Sequence, residues 1–264
     1  MAALALRALA VLALAYLAAL GGLYVAQAHL IYPAPQQQHA PIEGFAAVTL
    51  QTADDLALTA HWRASDGGRP TVVFFHGNGG SLAGAARETT GFAQAGYGVL
   101  LVEYRGYGGN PGDPSEAGFY RDGRAAMAFL AAQGIAPART VVIGNSIGSG
   151  TATEMAKAFR PAALILTSPF TSLGNVVRER MPVVPVDLLL RDQFDNRAKI
   201  AALTMPVLVL HGTADRVVPF AHGKALAAAA SDATFIAFNG AGHELSFRPE
   251  AQAAQTEWLK AQGL

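Results

Sequence analysis

From Thr71 onward the chain alternates short apolar runs with longer alanine-rich stretches, and no other feature restricts its fold as much. The runs are Thr71 to Phe75, Gly98 to Glu103, Thr140 to Ile143, Ala163 to Thr167, Pro206 to Leu210 and Thr234 to Phe238. Near-continuous apolar strands are buried on both faces, which requires parallel pairing with helices covering each side. The stretches between them, roughly 82–95, 114–133, 147–159, 220–230 and 249–262, supply those helices. Two earlier runs, Ala47 to Thr52 and Leu56 to Arg63, alternate apolar with polar residues around Asp54-Asp55, the pattern of an antiparallel hairpin at a sheet edge. The expected fold is α/β, with eight strands in a mostly parallel sheet flanked by helices.

One interval breaks the rhythm. Pro169 to Ala202 is longer than a single crossover needs and carries Met181-Pro182, Val184-Pro185 and Leu188-Leu189-Leu190. An insertion there, after the sixth strand, lies over the carboxyl ends of the sheet, where open α/β folds bind ligands. The expected organisation is an N-terminal segment over 1–28, a Pro- and Gln-rich linker over 29–45, and one α/β domain over 46–264 with a small cap at about 170–202.

The N-terminal segment contains an uncharged apolar run from Ala8 to Val25, preceded by Arg7. That run is long enough to span a bilayer and longer than the core of about 7–15 residues usual in a secretory signal. The expectation is a single-pass membrane anchor with Arg7 on the cytoplasmic side and the folded domain on the far side. Ala26-Gln27-Ala28 offers the alternative, cleavage after Ala28 to leave a secreted or periplasmic protein.

Acidic and basic side chains balance at 19 each, and no basic stripe is interleaved with aromatics, so nucleic acid is not an expected partner. The absence of cysteine excludes disulfides, thiolate metal sites and a cysteine nucleophile.

Chemistry enters at Gly144-Asn145-Ser146-Ile147-Gly148, which follows an apolar strand directly and opens a helical stretch. That is the setting of a nucleophile elbow, where a tight strand-to-helix turn needs small flanking residues and lifts the serine hydroxyl above the sheet. A serine hydroxyl is a weak nucleophile without an imidazole to take its proton and a carboxylate to orient that imidazole. Of the seven histidines, His243 stands in a Gly-rich loop after the last strand, and Asp215 stands just past the strand ending at Leu210. The order Ser146, Asp215, His243 is that of an α/β-hydrolase. His29 and His39 fall in the linker region, His61 in an edge strand and His222 on a helix where a solvated role is expected. His76 and His211 precede glycines at strand ends, where burial near the site is expected, and Glu103 is the substitute carboxylate.

An oxyanion needs two donors, and the backbone N–H of Ile147 at the start of the helix is one. The loop His76-Gly77-Asn78-Gly79-Gly80-Ser81 supplies the other through Asn78, with Gly79 as its neighbour. No lysine follows this loop in a phosphate-binding pattern, and no histidine pair has i, i+4 spacing, so neither a metal nor a cofactor is expected.

These segments, with Leu30-Ile31-Tyr32-Pro33, Tyr104-Arg105-Gly106-Tyr107-Gly108, Pro114-Ser115-Glu116, Leu189 to Asn196, His211 to Pro219 and Gly242-His243, make the chain resemble the α/β-hydrolase superfamily. Within it the chain resembles the Bem46-like membrane-anchored serine hydrolases, a group that includes relatives of mammalian protein depalmitoylases. The resemblance covers nearly the whole chain and implies the same eight-stranded sheet, with Ser146, Asp215 and His243 as catalytic residues. It departs at Asn145, where relatives often carry Arg, Gln, His or Tyr, and at the bulky Ile147. The expected activity is cleavage of carboxylic ester or thioester bonds in a small or lipid-like acyl substrate, with peptidase or C–C hydrolase chemistry, or a non-catalytic binding role, as alternatives.

Overall fold

A computed structural model of the chain describes residues 1–37 and 40–264. His39 of the linker lies outside the described residues. The chain opens with α1 (Ala2–Ile31), followed by β1 (Ala46–Gln51), β2 (Ala57–Arg63), β3 (Thr71–Phe75), α2 (Leu82–Glu88), α3 (Thr90–Gln94) and β4 (Gly98–Val102). It continues through α4 (Glu116–Ala132), β5 (Thr140–Asn145), α5 (Gly148–Phe159) and β6 (Ala163–Thr167). The cap region holds α6 (Leu173–Arg180), α7 (Val186–Leu189) and α8 (Asn196–Ile200), after which come β7 (Val207–Gly212), α9 (Phe220–Ala229), β8 (Ala233–Phe238) and α10 (Pro249–Ala261).

The eight strands form one sheet in the order β1-β2-β4-β3-β5-β6-β7-β8, with β2 antiparallel to both neighbours and the other pairs parallel. Alternation along β3 divides the core. Val73 and Phe75 join the cluster that includes Phe119 of α4 and Met155 of α5, whereas Val72 and Phe74 join Leu82 of α2 and Trp258 of α10. After β3 the chain steps one way to β4 and then crosses back to β5 on the other side, so the crevice beyond the ends of β3 and β5 is a topological switch point.

Helix starts follow local chemistry. The hydroxyls of Ser81, Ser115 and Ser172 accept from the N–H groups of Gly84, Gly118 and Asn175, and Asp195 accepts from Ala198. The single helix expected over 82–95 is two, because the Thr89 hydroxyl bonds back to the Ala85 carbonyl and the chain turns there. Arg105 ties the hairpin to the body, its guanidinium reaching Asp54 of the hairpin turn at 2.7 Å and the buried Asp122 of α4 at 2.8 Å.

Three readings change. β2 lies inside the sheet, between β1 and β4, so His61 is a buried residue of an interior strand. His222 is buried as well, because α9 packs beneath the start of the cap, and its Nδ1 accepts from the Thr171 N–H at 3.1 Å. The apolar helix runs on past residue 28 to Ile31, and Tyr32, expected in a linker, is a core residue whose hydroxyl donates to Asp192 at 2.7 Å.

Candidate active site

Ser146 follows β5 in a left-handed conformation, φ +52°, which L-residues adopt only under constraint. The constraint is packing. A Cβ on Gly148 would lie 2.1 Å from the Phe75 carbonyl oxygen, and one on Gly144 would lie 2.5 Å from the Gly148 oxygen. Only glycine lets α5 start this close to the end of β3. The Ser146 N–H donates to the Thr167 carbonyl at 2.9 Å, which fixes the turn against β6.

The loops after β7 and β8 bring their side chains to this turn. His243 Nε2 lies 2.9 Å from Ser146 Oγ, and His243 Nδ1 lies 2.8 Å from Asp215 Oδ2. The carboxylate requires Nδ1 to carry the proton, which leaves Nε2 as an acceptor for the serine hydroxyl. Asp215 is itself held, its Oδ1 accepting from the Val217 and Val218 N–H groups at 2.8 and 2.9 Å. His211 adds a further donor, with Nε2 3.3 Å from Asp215 Oδ2 and 3.0 Å from the Val218 carbonyl. Burial raises the Asp215 pKa, but the bonds from His211 and His243 outweigh it and hold the carboxyl well below the usual carboxylate range. The Ser168 hydroxyl donates to the His243 carbonyl at 3.3 Å and steadies the histidine loop.

The loop after β3 closes the other side. A Cβ on Gly77 would be 3.5 Å from Ser146 Cβ, Gly79 has φ +68°, and the Gly80 N–H turns back to the Gly77 carbonyl at 3.0 Å. Asn78 and Ile147 both line the cavity above Ser146. Among the described residues neither backbone N–H has an acceptor within the chain. The Tyr107 hydroxyl donates to Asn78 Oδ1 at 3.1 Å, so the loop is tied through Tyr107 to the segment that Arg105 clamps.

His76 and Glu103 do not reach the serine. The His76 Nε2 pairs with Glu103 Oε1 at 2.6 Å and its Nδ1 with the Gly77 carbonyl at 2.8 Å, while Glu103 Oε2 accepts from the Leu82 N–H at 3.2 Å. Burial pushes the imidazole pKa down, but the Glu103 carboxylate more than offsets this and the net direction is up. The pair is a buried tie beneath the loop.

Glu88 carries no sequence signal of a site, since it reads as an ordinary helical charge. It is buried at the cavity wall, where Glu88 Oε2 accepts from Asn145 Nδ2 at 2.7 Å, and the same amide lies 2.9 Å from Ser246 Oγ. Burial pushes its carboxyl pKa up. The cavity measures about 630 Å³ and is otherwise apolar toward the cap, with Leu30, Ile31, Phe170, Leu173, Val176 and Val217 in its wall.

A hydroxyl bonded to an imidazole that is bonded to a buried carboxylate, on this fold, invites comparison with known hydrolases. The family model described as serine aminopeptidase, S33, matches residues 67–191 and 189–250. The chain belongs to this hydrolase family. Among family relatives, an uncharacterized protein of Mycobacterium tuberculosis strain CDC 1551 is 38% identical over 200 residues, covering 74% of this chain and 71% of the relative. Human alpha/beta hydrolase domain-containing protein 17B is 35% identical over 166 residues, 62% of this chain and 56% of that protein. The fold matches an esterase of Pyrococcus furiosus at TM-score 0.71, with 17% identity over 88% of this chain and 97% of that one. It also matches a puromycin-hydrolyzing peptidase of Mycobacterium tuberculosis at TM-score 0.67, with 21% identity over 85% of this chain and 41% of the peptidase. The protein is an α/β-hydrolase, consistent with the Bem46-like group.

Proposed function

We propose that the protein is a serine hydrolase that cleaves carboxylic ester or thioester bonds of hydrophobic acyl substrates beside a membrane. The observation that carries this reading is the 2.9 Å and 2.8 Å pair of contacts linking Ser146, His243 and Asp215. His243 Nε2 takes the Ser146 Oγ proton as Oγ attacks the acyl carbon, and the backbone N–H groups of Ile147 and Asn78 hold the developing oxyanion. The imidazolium returns that proton to the departing alcohol or thiol, leaving Ser146 acylated. Water, deprotonated by His243, releases the acid and restores the serine. Asp215 keeps His243 in the required tautomer throughout.

The apolar wall facing the cap supports an acyl substrate. The carboxylates of Glu88 and Glu244 in the same cavity, and the family description, favour a second reading in which the amine of an aminoacyl substrate is held there. Glu88 is already engaged by Asn145, which places the acyl reading first.

A membrane anchor fits α1 better than a removable signal. Its C-terminal end is bonded into the cap, Gln27 Nε2 donating to the Leu189 carbonyl at 3.2 Å and Gln27 Oε1 accepting from the Arg191 N–H at 3.0 Å. Cleavage after Ala28 removes both bonds. With Arg7 toward the cytoplasm, the hydrolase domain stands on the far side.

The test is turnover of p-nitrophenyl acetate and butyrate, an acyl thioester and aminoacyl p-nitroanilides by the full chain and its Ser146→Ala variant. Ester and thioester turnover that is lost in Ser146→Ala supports the reading. Turnover of anilides alone would replace it with the aminopeptidase, and ester turnover that survives in Ser146→Ala would end the serine mechanism.

A further inference from the structure

We propose that α1 is one wall of the acyl-binding site, and that the crevice between α1 and the cap admits an acyl chain sideways from the lipid leaflet to Ser146. The inference rests on the hydrolase reading above and adds the path and the binding surface.

Four contacts fix α1 to the cap. Besides the two Gln27 bonds, the Tyr16 hydroxyl donates to the Val183 carbonyl at 2.5 Å, and the Arg191 guanidinium lies 4.3 Å from the centre of the Tyr24 ring. The buried Gln27 amide reaches cap backbone through both its groups, while its NH₂ also donates to the Tyr24 carbonyl of α1 at 2.8 Å, which fixes the side chain against its own helix. An amide bonded this way holds the helix in one rotation, so the same α1 face always meets the cap.

Between the two lies a slot of about 120 Å³, walled by Leu23, Leu30, Ile31, Val177, Val184 and Leu190. It adjoins the cavity over Ser146, with Leu30, Ile31 and Val177 as the wall the two share. Cavity and slot together reach from the serine to the side of the apolar helix, and the proposed path crosses their shared wall.

Its outer end lies where hydrocarbon would be. The Tyr16–Val183 bond sets the cap tip beside the middle of the Ala8–Val25 run, and the tip exposes Met181, Val183 and Leu188, the last two 75% and 84% accessible. These exposed apolar residues stand beside an exposed apolar helix, with the exposed Arg178–Asp187 ion pair on the same cap surface. A bilayer that receives α1 to this depth receives the cap tip with it, and the slot then opens into the leaflet. The occupant of such a slot is the hydrocarbon tail of a membrane-borne ester or thioester, whose carbonyl reaches Ser146 while its tail remains in an apolar environment.

Burial of a methylene is worth about 0.8 kcal/mol, so kcat/KM for soluble esters should rise by about fourfold per added methylene while the chain extends through the cavity and slot. The experiment uses the full chain in phospholipid vesicles, with p-nitrophenyl acetate, butyrate, octanoate and decanoate and with a long-chain acyl ester embedded in the vesicles. Leu190→Trp and Val184→Trp fill the slot, both at half-buried positions, and the second keeps the test available should the first not fold. The expected result is at least a tenfold fall in the decanoate-to-acetate ratio of kcat/KM in the slot variants. Val183→Asp, at the exposed tip, should slow the vesicle-borne ester at least tenfold relative to soluble decanoate.

A decanoate-to-acetate ratio that stays at the wild-type value in both slot variants would overturn the path, as would a wild-type rate that does not rise with chain length. In either case acetate turnover by Ser146 leaves the hydrolase reading standing. Wild-type protein that turns over no ester would overturn both.

Discussion

Replacing Asp215 by Asn tests how the carboxylate positions the base, because the surrounding donors dictate which way the amide points. Asp215 Oδ1 accepts from the Val217 and Val218 N–H groups and Oδ2 accepts from His243 Nδ1, while His211 Nε2, 3.3 Å from Oδ2, can keep its proton on the Val218 carbonyl at 3.0 Å when an NH₂ replaces Oδ2. An asparagine that keeps its carbonyl on those backbone donors must turn its NH₂ toward His243. The reverse orientation sets donor against donor at the buried Val218 N–H, which alone costs about 1–3 kcal/mol. Facing an NH₂, His243 presents Nδ1 as the acceptor and carries its proton on Nε2, where it can no longer take the Ser146 proton. A wrong-tautomer imidazole costs about 10⁴-fold in turnover, equivalent to about 5.4 kcal/mol of barrier. The assay is kcat for p-nitrophenyl butyrate at pH 7.5, with circular dichroism to establish that the variant is folded. A folded Asp215→Asn variant within tenfold of wild type would refute the positioning role.

Other consequences follow from packing and charge. Gly148→Ala places a methyl group 2.1 Å from a backbone oxygen that has no room to move, and should destabilise by about 3 kcal/mol or more, read as a fall in Tm. The raised His76 pKa means that the imidazolium pair with Glu103 contributes stability fully below the unfolded histidine pKa of about 6.5 and loses it as pH rises through the higher folded value. Urea unfolding from pH 6 to 9 should show that loss, and His76→Gln should remove that part of the slope. Glu103→Gln, which does not touch the serine or His243, should lower stability more than it lowers kcat, the opposite of Asp215→Asn. Gln27→Ala removes two bonds to the cap and should make the 183–191 segment exchange amide hydrogen faster, measured by mass spectrometry.

The sheet was legible because its strands carry two distinct patterns. Val72 to Phe75 is apolar at every position and is buried on both faces between β4 and β5, while β1 of the alternating hairpin forms the sheet edge and β2 lies inside it. The elbow was legible for a similar reason, since Gly144 and Gly148 flank a serine between a strand and a helix, and no side chain fits at either glycine. What could not be read is what long-range packing decides. His222 looks solvated on a helix but is buried by the cap, and Glu88 resembles any helical charge until Asn145, 57 residues away, is seen to bond it. Tyr32 and Gln27 gave no sign of joining the cap, because their partners lie 160 and 162 residues downstream in an insertion whose path has no periodic signal.

Ser146 is the nucleophile of the proposed mechanism. The most direct measurement is to treat the full-length protein with a fluorophosphonate and locate the adduct by tandem mass spectrometry. The expected result is a single phosphonylated residue, Ser146, formed quickly in wild type, at least about 10³-fold more slowly when His243 is replaced by Ala, and not at all in Ser146→Ala. An adduct on another residue, or labelling of Ser146 at an undiminished rate without His243, would contradict it.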